Sequence, residues 1–157
     1  MKLKIKYLDN YRLSDWGPVR YEKEGDSGFD LRAAINDTIM VPPILRSSPE
    51  NNHIKLIPTG IKVELPIGTE LQIRPRSGLA LNNGITILNS PGTIDSGFRN
   101  EIGIIIINVS LDYFRIMPSM RIAQAVLSNV LKAEFEEVCV LGNSDRSEGG
   151  FGHTGSI

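Results

Sequence analysis

Apolar residues in this chain recur in short runs separated by turn signals, not along helical faces. Lys2–Leu8 alternates basic and apolar side chains, the period-two pattern of a half-exposed strand. Runs rich in β-branched residues predict further strands at Phe29–Ala34, Thr38–Val41, Ile54–Ile57, Ile61–Leu65, Leu71–Pro75, Ile85–Leu88, Glu101–Ser110, Ala123–Val130 and Glu137–Leu141. Pro58-Thr-Gly60, Pro66-Ile-Gly68 and Asn82-Asn-Gly84 punctuate them. That cadence predicts an all-β sandwich, barrel or jelly roll, with helix confined to one or two turns at Ser77–Asn82. Ile102–Val109 is almost continuously apolar, so burial on both faces is expected, in the core or against a second subunit. Pro42–Asn52 has the composition of a solvated loop.

Composition narrows the classes. The chain has 157 residues, enough for one domain with a genuine core. Its 17 Lys+Arg against 18 Asp+Glu give a net charge of −1, which argues against a broad basic surface for polymeric nucleic acid. The single cysteine, Cys139, allows no internal disulfide, and His53 and His153 make no zinc-type cluster. No segment approaches the roughly 18 apolar residues that span a bilayer, and the N-terminus lacks a signal peptide's apolar core. A soluble cytoplasmic protein is expected. Residues 1–141 are expected to form a single domain, and the glycine density of 142–157 predicts a mobile C-terminal arm.

The chemistry concentrates in a few segments. Asn89-Ser-Pro-Gly-Thr-Ile-Asp95-Ser-Gly-Phe98 puts an acid, an amide and a ring on one Gly/Pro-punctuated hairpin, where backbone groups and Asn89 can meet the edge of a planar ligand. Taken alone, it also reads as an ordinary turn held by Asx side chains. Arg74-Pro-Arg-Ser-Gly-Leu-Ala80 ends a strand at a helix start, where Ser77 and Gly78 offer free N–H groups and Arg76 a charge. Arg121-Ile-Ala-Gln124 adds a long amide, and Gly25-Asp-Ser-Gly-Phe-Asp30 two carboxylates suited to the water shell of Mg²⁺. Arg146-Ser-Glu-Gly-Gly-Phe-Gly-His-Thr-Gly155 joins a cation, a ring, converging N–H groups and a hydroxyl. Each has a bland alternative as ion pair, cap or tail. Four phosphate-capable segments on one small neutral chain point instead to a nucleotide.

Taken in chain order, as Asp26–Ala34, Pro75–Ala80, Asn89–Gly103, Arg121–Ala125 and Arg146–Gly155, these segments resemble the five motifs of the trimeric dUTP pyrophosphatases (dUTPases), over about Gly25 to Gly155. The resemblance implies a jelly-roll homotrimer with sites between subunits that hydrolyses dUTP to dUMP and pyrophosphate, removing dUTP from the nucleotide pool and supplying dUMP. It implies that Asp95 holds the water attacking the α-phosphorus. Asn89 and the backbone at Thr93, Ile94 and Gly103 would read uracil, and Phe98 would pack against the deoxyribose. Arg76, Ser77, Gly78 and Gln124 would contact the phosphates, with Asp30 anchoring Mg²⁺ through water. Arg146, Phe151, Gly152 and Thr154 would close over the nucleotide as a lid. Phe98 stands where the family commonly has Tyr, Gly97 and Asn100 replace common flanking residues, and His153 replaces a common Ser. Two other readings remain: a dCTP deaminase on the same fold, which needs a glutamate at the base, and a nucleotide-responsive regulatory module, which needs no catalytic acid.

Overall fold

The computed structural model of the chain describes residues 1–144. Its regular elements are, in order, β1 (Lys4–Tyr7), α1 (Leu13–Trp16), β2 (Gly28–Arg32), β3 (Ile39–Val41), β4 (Ile54–Pro58), β5 (Ile61–Glu64), β6 (Thr69–Arg74), α2 (Ser77–Asn83), β7 (Ile85–Ile87), β8 (Gly92–Asp95), β9 (Gly103–Asn108), β10 (Phe114–Ile116) and β11 (Arg121–Asn129). The expected all-β, jelly-roll-like architecture is borne out. Strand pairs are antiparallel throughout, in a four-stranded sheet ordered β2-β11-β6-β8, a three-stranded sheet β4-β9-β7, and two ribbons, β1-β5 and β10-β3.

Alternation decides what each sheet buries. Leu71 and Ile73 of β6 and Ala123 and Ala125 of β11 face inward, while Glu70, Gln72 and Arg74 face out. The inward set joins Ile57, Ile85, Ile104 and Ile106 of the three-stranded sheet in one core. Each such isoleucine contributes about 1.5–3 kcal/mol through burial. Asn108, fully buried at the end of β9, satisfies itself: Nδ2 donates to the carbonyls of Val41 (2.9 Å) and Asp112 (2.8 Å), and Oδ1 accepts from Ser110. The apolar run is therefore buried on both faces only in part, since Ile105 is half-buried and Gly103 and Val109 are exposed.

Three expectations need correction. No strand forms at Glu137–Leu141, and residues 131–144 are exposed throughout, with Leu131 and Phe135 at 97% and 95%; one chain offers that stretch nothing to pair with or pack on. Gly92–Asp95 is a strand and not merely part of a turn, because β6 supplies it with a partner. A second helical turn, α1, forms where Trp16 Nε1 donates to Ser119 Oγ at 2.8 Å and its ring packs edge-on to Tyr11. In the 42–52 loop Pro42 and Pro43 are buried, whereas Ile44–Arg46 is an exposed 3₁₀ turn.

Candidate active site

The four-stranded sheet carries Asp30 and Gln124 on its outer face. Asp30 on β2 faces outward between buried Phe29 and Leu31, directly opposite Gln124 on β11, which in turn faces Arg74 on β6. A bulge between Arg121 and Ala123 sends Ile122 and Ala123 both inward. Without that extra residue Arg121 and Gln124, three apart, would point to opposite faces; with it both face Asp30.

Asp30 is held at both oxygens. Arg76 Nε lies 2.9 Å from Oδ1 and Arg121 Nη1 3.0 Å from Oδ2, with the aspartate side chain 19% exposed. Arg121 also lies 4.0 Å from Glu22. Gln124 Nε2 donates to the carbonyl of Pro75 at 2.9 Å, tying β11 to the chain as it leaves β6 for α2. Arg76 is the N-cap of α2 in extended conformation, so Ser77 and Gly78 open the helix with exposed N–H groups. Asp30, Arg76, Ser77, Gly78 and Gln124 thus line one cavity of about 390 Å³. The structure brings together all five residues expected at the phosphates and the metal. Asn82 and Asn83, with Leu79, complete the wall. Sequence reasoning missed them, although Asn82 lies four residues after Gly78, on the same helical face.

The hairpin residues gather elsewhere. β7 and β9 pair with Ile87 opposite Ile106, and Leu88 N–H continues the ladder to Ile105 O at 2.9 Å. Asn89 follows in the turn that leaves β7. From this turn the chain crosses to β6 as β8. A Cβ on Gly92 would lie 3.2 Å from Asn89 Nδ2 and 3.3 Å from Ile73 Cβ, so the amide of Asn89 lies over glycine backbone where a side chain would displace it. Thr93 and Asp95 face outward, Gly92 and Ile94 inward. Phe98 N–H donates to Asp95 O at 3.0 Å, closing a tight turn, and Phe98 is half-buried against the core. Its ring is therefore part core packing and not a free wall.

Glu101 closes the base of this hairpin. Its Oε1 accepts from the N–H of Gly60 at 2.7 Å and from Asn10 Nδ2 at 3.2 Å, a structural tie that sequence reasoning did not foresee. Gly103, Leu56, Pro58 and Asn100 join it around a shallow cavity of about 260 Å³.

Within one chain the two groups do not meet. Asp95 pairs with Glu70 on β6, whereas Gln124 pairs with Arg74, four residues along the same strand. The rows are separated by roughly 13 Å along β6 and two strand spacings of roughly 5 Å across it, or about 16 Å in all. A water bridging a carboxylate to a phosphorus spans only about 5–6 Å. Arg146, Phe151, Gly152 and Thr154 lie outside the described residues.

No group of three or more His, Cys, Asp or Glu able to hold a metal ion occurs among the described residues. A carboxylate has about four lone-pair sites, and the two arginines use two of Asp30's. That donor set fits contact with a hydrated cation through water and not direct ligation in a protein cage.

Comparison with known proteins agrees with this architecture. A family profile described as dUTPase matches residues 15–155. The chain is 46% identical over 153 residues to the deoxyuridine 5'-triphosphate nucleotidohydrolase of Thermoanaerobacter sp. (strain X514), covering 98% of this chain and 97% of that one. Among solved structures it shares the fold of a Staphylococcus bacteriophage 80alpha dUTPase G164S mutant with dUpNHpp, at TM-score 0.81 and 24% identity over 98% of each chain. It shares it also with a mutant dUTPase from phage phi11 of S. aureus described as coordinating a structural Mg(II) ion, at TM-score 0.74 and 19% identity over 91% of this chain and 100% of that one.

Proposed function

The chain belongs to the dUTPase family, and from that premise we propose how it hydrolyses dUTP to dUMP and pyrophosphate. The observation that carries the proposal is the cavity in which Asp30, Arg76, Ser77, Gly78 and Gln124, drawn from three distant segments, face one another. Two backbone N–H groups, a hydroxyl and a guanidinium make a seat for a polyphosphate. Gln124 holds that seat in place through Pro75.

Base and sugar are assigned to the hairpin. Asn89 and the backbone of Thr93, Ile94 and Gly103 read uracil's donor flanked by acceptors; cytosine leaves an unpaired donor against the same edge, at the cost that follows from stranded polar groups. Phe98 limits the room at C2′ through the packed position of its ring. Asp95, exposed at the end of β8, orients a water in line with the α-phosphorus, so that positioning supplies most of the rate. Mg²⁺, when it arrives with the triphosphate, supplies charge neutralisation, and Asp30 holds its water shell. Arg146, Phe151, Gly152 and Thr154 close over the nucleotide and exclude bulk water.

The separation of about 16 Å supports a site completed by a second copy: Asp95 of one subunit serves the phosphate cavity of the next, as in a homotrimer. Exposed Leu131, Phe135 and Leu141 offer apolar surface for such an assembly. Glu101, committed to Gly60 and Asn10, is poorly placed as the proton shuttle a dCTP deaminase needs. No helix among the described residues is long and apolar enough to cross a membrane. The direct test is incubation with dUTP, dCTP, dTTP and UTP in the presence of Mg²⁺. Pyrophosphate from dUTP alone is expected; ammonia from dCTP, or binding of dUTP without turnover, would overturn the proposal.

A further inference from the structure

The ribbon of β1 and β5 carries a feature that the reaction above does not use. Its register sets Lys4 opposite Glu64 and Lys6 opposite Lys62 on the outward face, while Val63 and Ile61 point to the core. Lys4 Nζ pairs with Glu64 Oε1 at 2.6 Å, and that hydrogen bond, aided by the charges of Lys4 and then Arg99, holds the Glu64 carboxyl below the usual carboxylate range. Lys6 and Lys62 have no such partner. Side chains directly opposite on paired strands sit about 5 Å apart at Cβ, where like charges repel. Among the described residues no carboxylate lies within ion-pair distance of Lys6, Lys62 or Arg99.

Arg99 borders the same open cavity as this pair. Its Nη1 donates to the carbonyls of Ser96 (2.7 Å) and Phe98 (2.8 Å), which fixes the guanidinium and leaves its other N–H groups uncommitted. Lys4, Lys6, Lys62, Glu64 and Arg99, with Ile5 and Val63, line an open cavity of about 380 Å³. Four cations against one carboxylate stand out on a chain of net charge −1.

We propose that this cavity binds a small oxyanion of the phosphate class, such as inorganic pyrophosphate or phosphate, between Lys6, Lys62 and Arg99. The two lysines supply point charges and Arg99 the directed donors. The anion relieves the repulsion between Lys6 and Lys62. Because Arg99 also clasps the turn from Asp95 to Phe98, occupancy bears on the turn that presents Asp95. That last consequence rests on the catalytic role proposed for Asp95; the binding site itself does not.

Titration of the intact protein with inorganic pyrophosphate, and separately with phosphate, followed by calorimetry and by the amide resonances of Ser96–Phe98, tests this. Arg76→Ala removes binding at the catalytic cavity and isolates the second site. In that background pyrophosphate is expected to bind and to shift the 96–98 amides, and Lys6→Gln with Lys62→Gln is expected to weaken binding at least tenfold while leaving the melting temperature unchanged or higher. Saturable binding of phosphate alone would assign the site to monoanionic and dianionic phosphate. Absence of any saturable binding in Arg76→Ala, or binding unaffected by the lysine substitutions, would overturn the proposal whether or not the protein turns over dUTP.

Discussion

Asp30 and Arg76 are joined by an ion pair of 2.9 Å between Oδ1 and Nε, which fastens the middle of β2 to the residue that opens α2. With Arg121 on the other oxygen, one carboxylate sets the separation of two guanidiniums, Arg76 bordering the cavity at the start of α2 and Arg121 the adjoining one beside Glu22 and Asp26. Arg76 is therefore held at the edge of the cavity by a residue more than forty positions away in sequence. An arginine free to swing would pay the cost of ordering its side chain at each binding event.

Asp30→Asn leaves the shape and removes the charge. Arg76 and Arg121 then repel across a neutral amide, and both forfeit a charge-assisted bond. Partial exposure screens the pair, so a loss of about 1–2 kcal/mol of stability is expected from denaturant melts. A larger effect is expected on KM for dUTP than on kcat at saturating Mg²⁺, with a raised Mg²⁺ requirement. Unchanged KM and Mg²⁺ dependence would confine Asp30 to a structural role.

Asp95→Asn keeps the turn, because the bond that closes it runs from Phe98 N–H to the backbone carbonyl of residue 95 and not to the side chain. Folding and affinity for a non-hydrolysable dUTP analogue should stay within about threefold of the parent. Turnover should fall by about 10²–10⁴-fold, the usual worth of a positioned acid or base. Near-normal turnover would remove Asp95 from the reaction.

Two glycine substitutions separate site from scaffold. A Cβ on Gly103 would come within 2.7 Å of Leu56 Cδ1, the end of a flexible side chain that is 69% exposed and free to move aside. Gly103→Ala should therefore fold normally and raise KM by displacing Leu56 over the base edge. Gly84 is left-handed at φ +61, and a Cβ there would meet Ser110 Cβ at 2.9 Å and its backbone N at 3.0 Å, neither able to yield cheaply. Gly84→Ala should cost about 1–3 kcal/mol of stability with kcat and KM of the folded fraction unchanged. Thermal melts and steady-state kinetics on both variants distinguish the two; the reverse pattern would misplace the base site.

The reach of the sequence ended where tertiary partners decide conformation. Strands such as Ile61–Glu64 and Arg121–Asn129 announce themselves because β-branched runs and turn residues act locally. Gly92–Asp95 does not, since Pro91 and Gly92 read as a turn until β6 is there to pair with it. The same holds for Arg121: its side chain joins Gln124 on the outer face only through a bulge, and period-two reasoning sends it to the other side. Conversely, Ser77 and Gly78 were legible as the open end of a helix, because helix starts carry their free N–H groups wherever they occur. The separation of Asp95 from that helix start needed sheet order, which no local pattern encodes.

That separation makes its own prediction. If each site takes Asp95 from one subunit and Arg76 from its neighbour, then Asp95→Asn and Arg76→Ala chains are each inactive alone, because every site in either trimer lacks one partner. In a mixed trimer of cyclic symmetry a single site joins an intact Asp95 to an intact Arg76. Equal amounts of the two chains, unfolded together and refolded, sort at random, so about three quarters of trimers are mixed and one site in three of those is whole. Roughly a quarter of the parent activity should therefore return on reassembly. Were both residues to act within one chain, no mixture would contain an intact site and activity would stay at the level of the variants. The assay thus reads directly whether Asp95 and Arg76 act from different chains, with neither inactive parent able to supply the recovered rate.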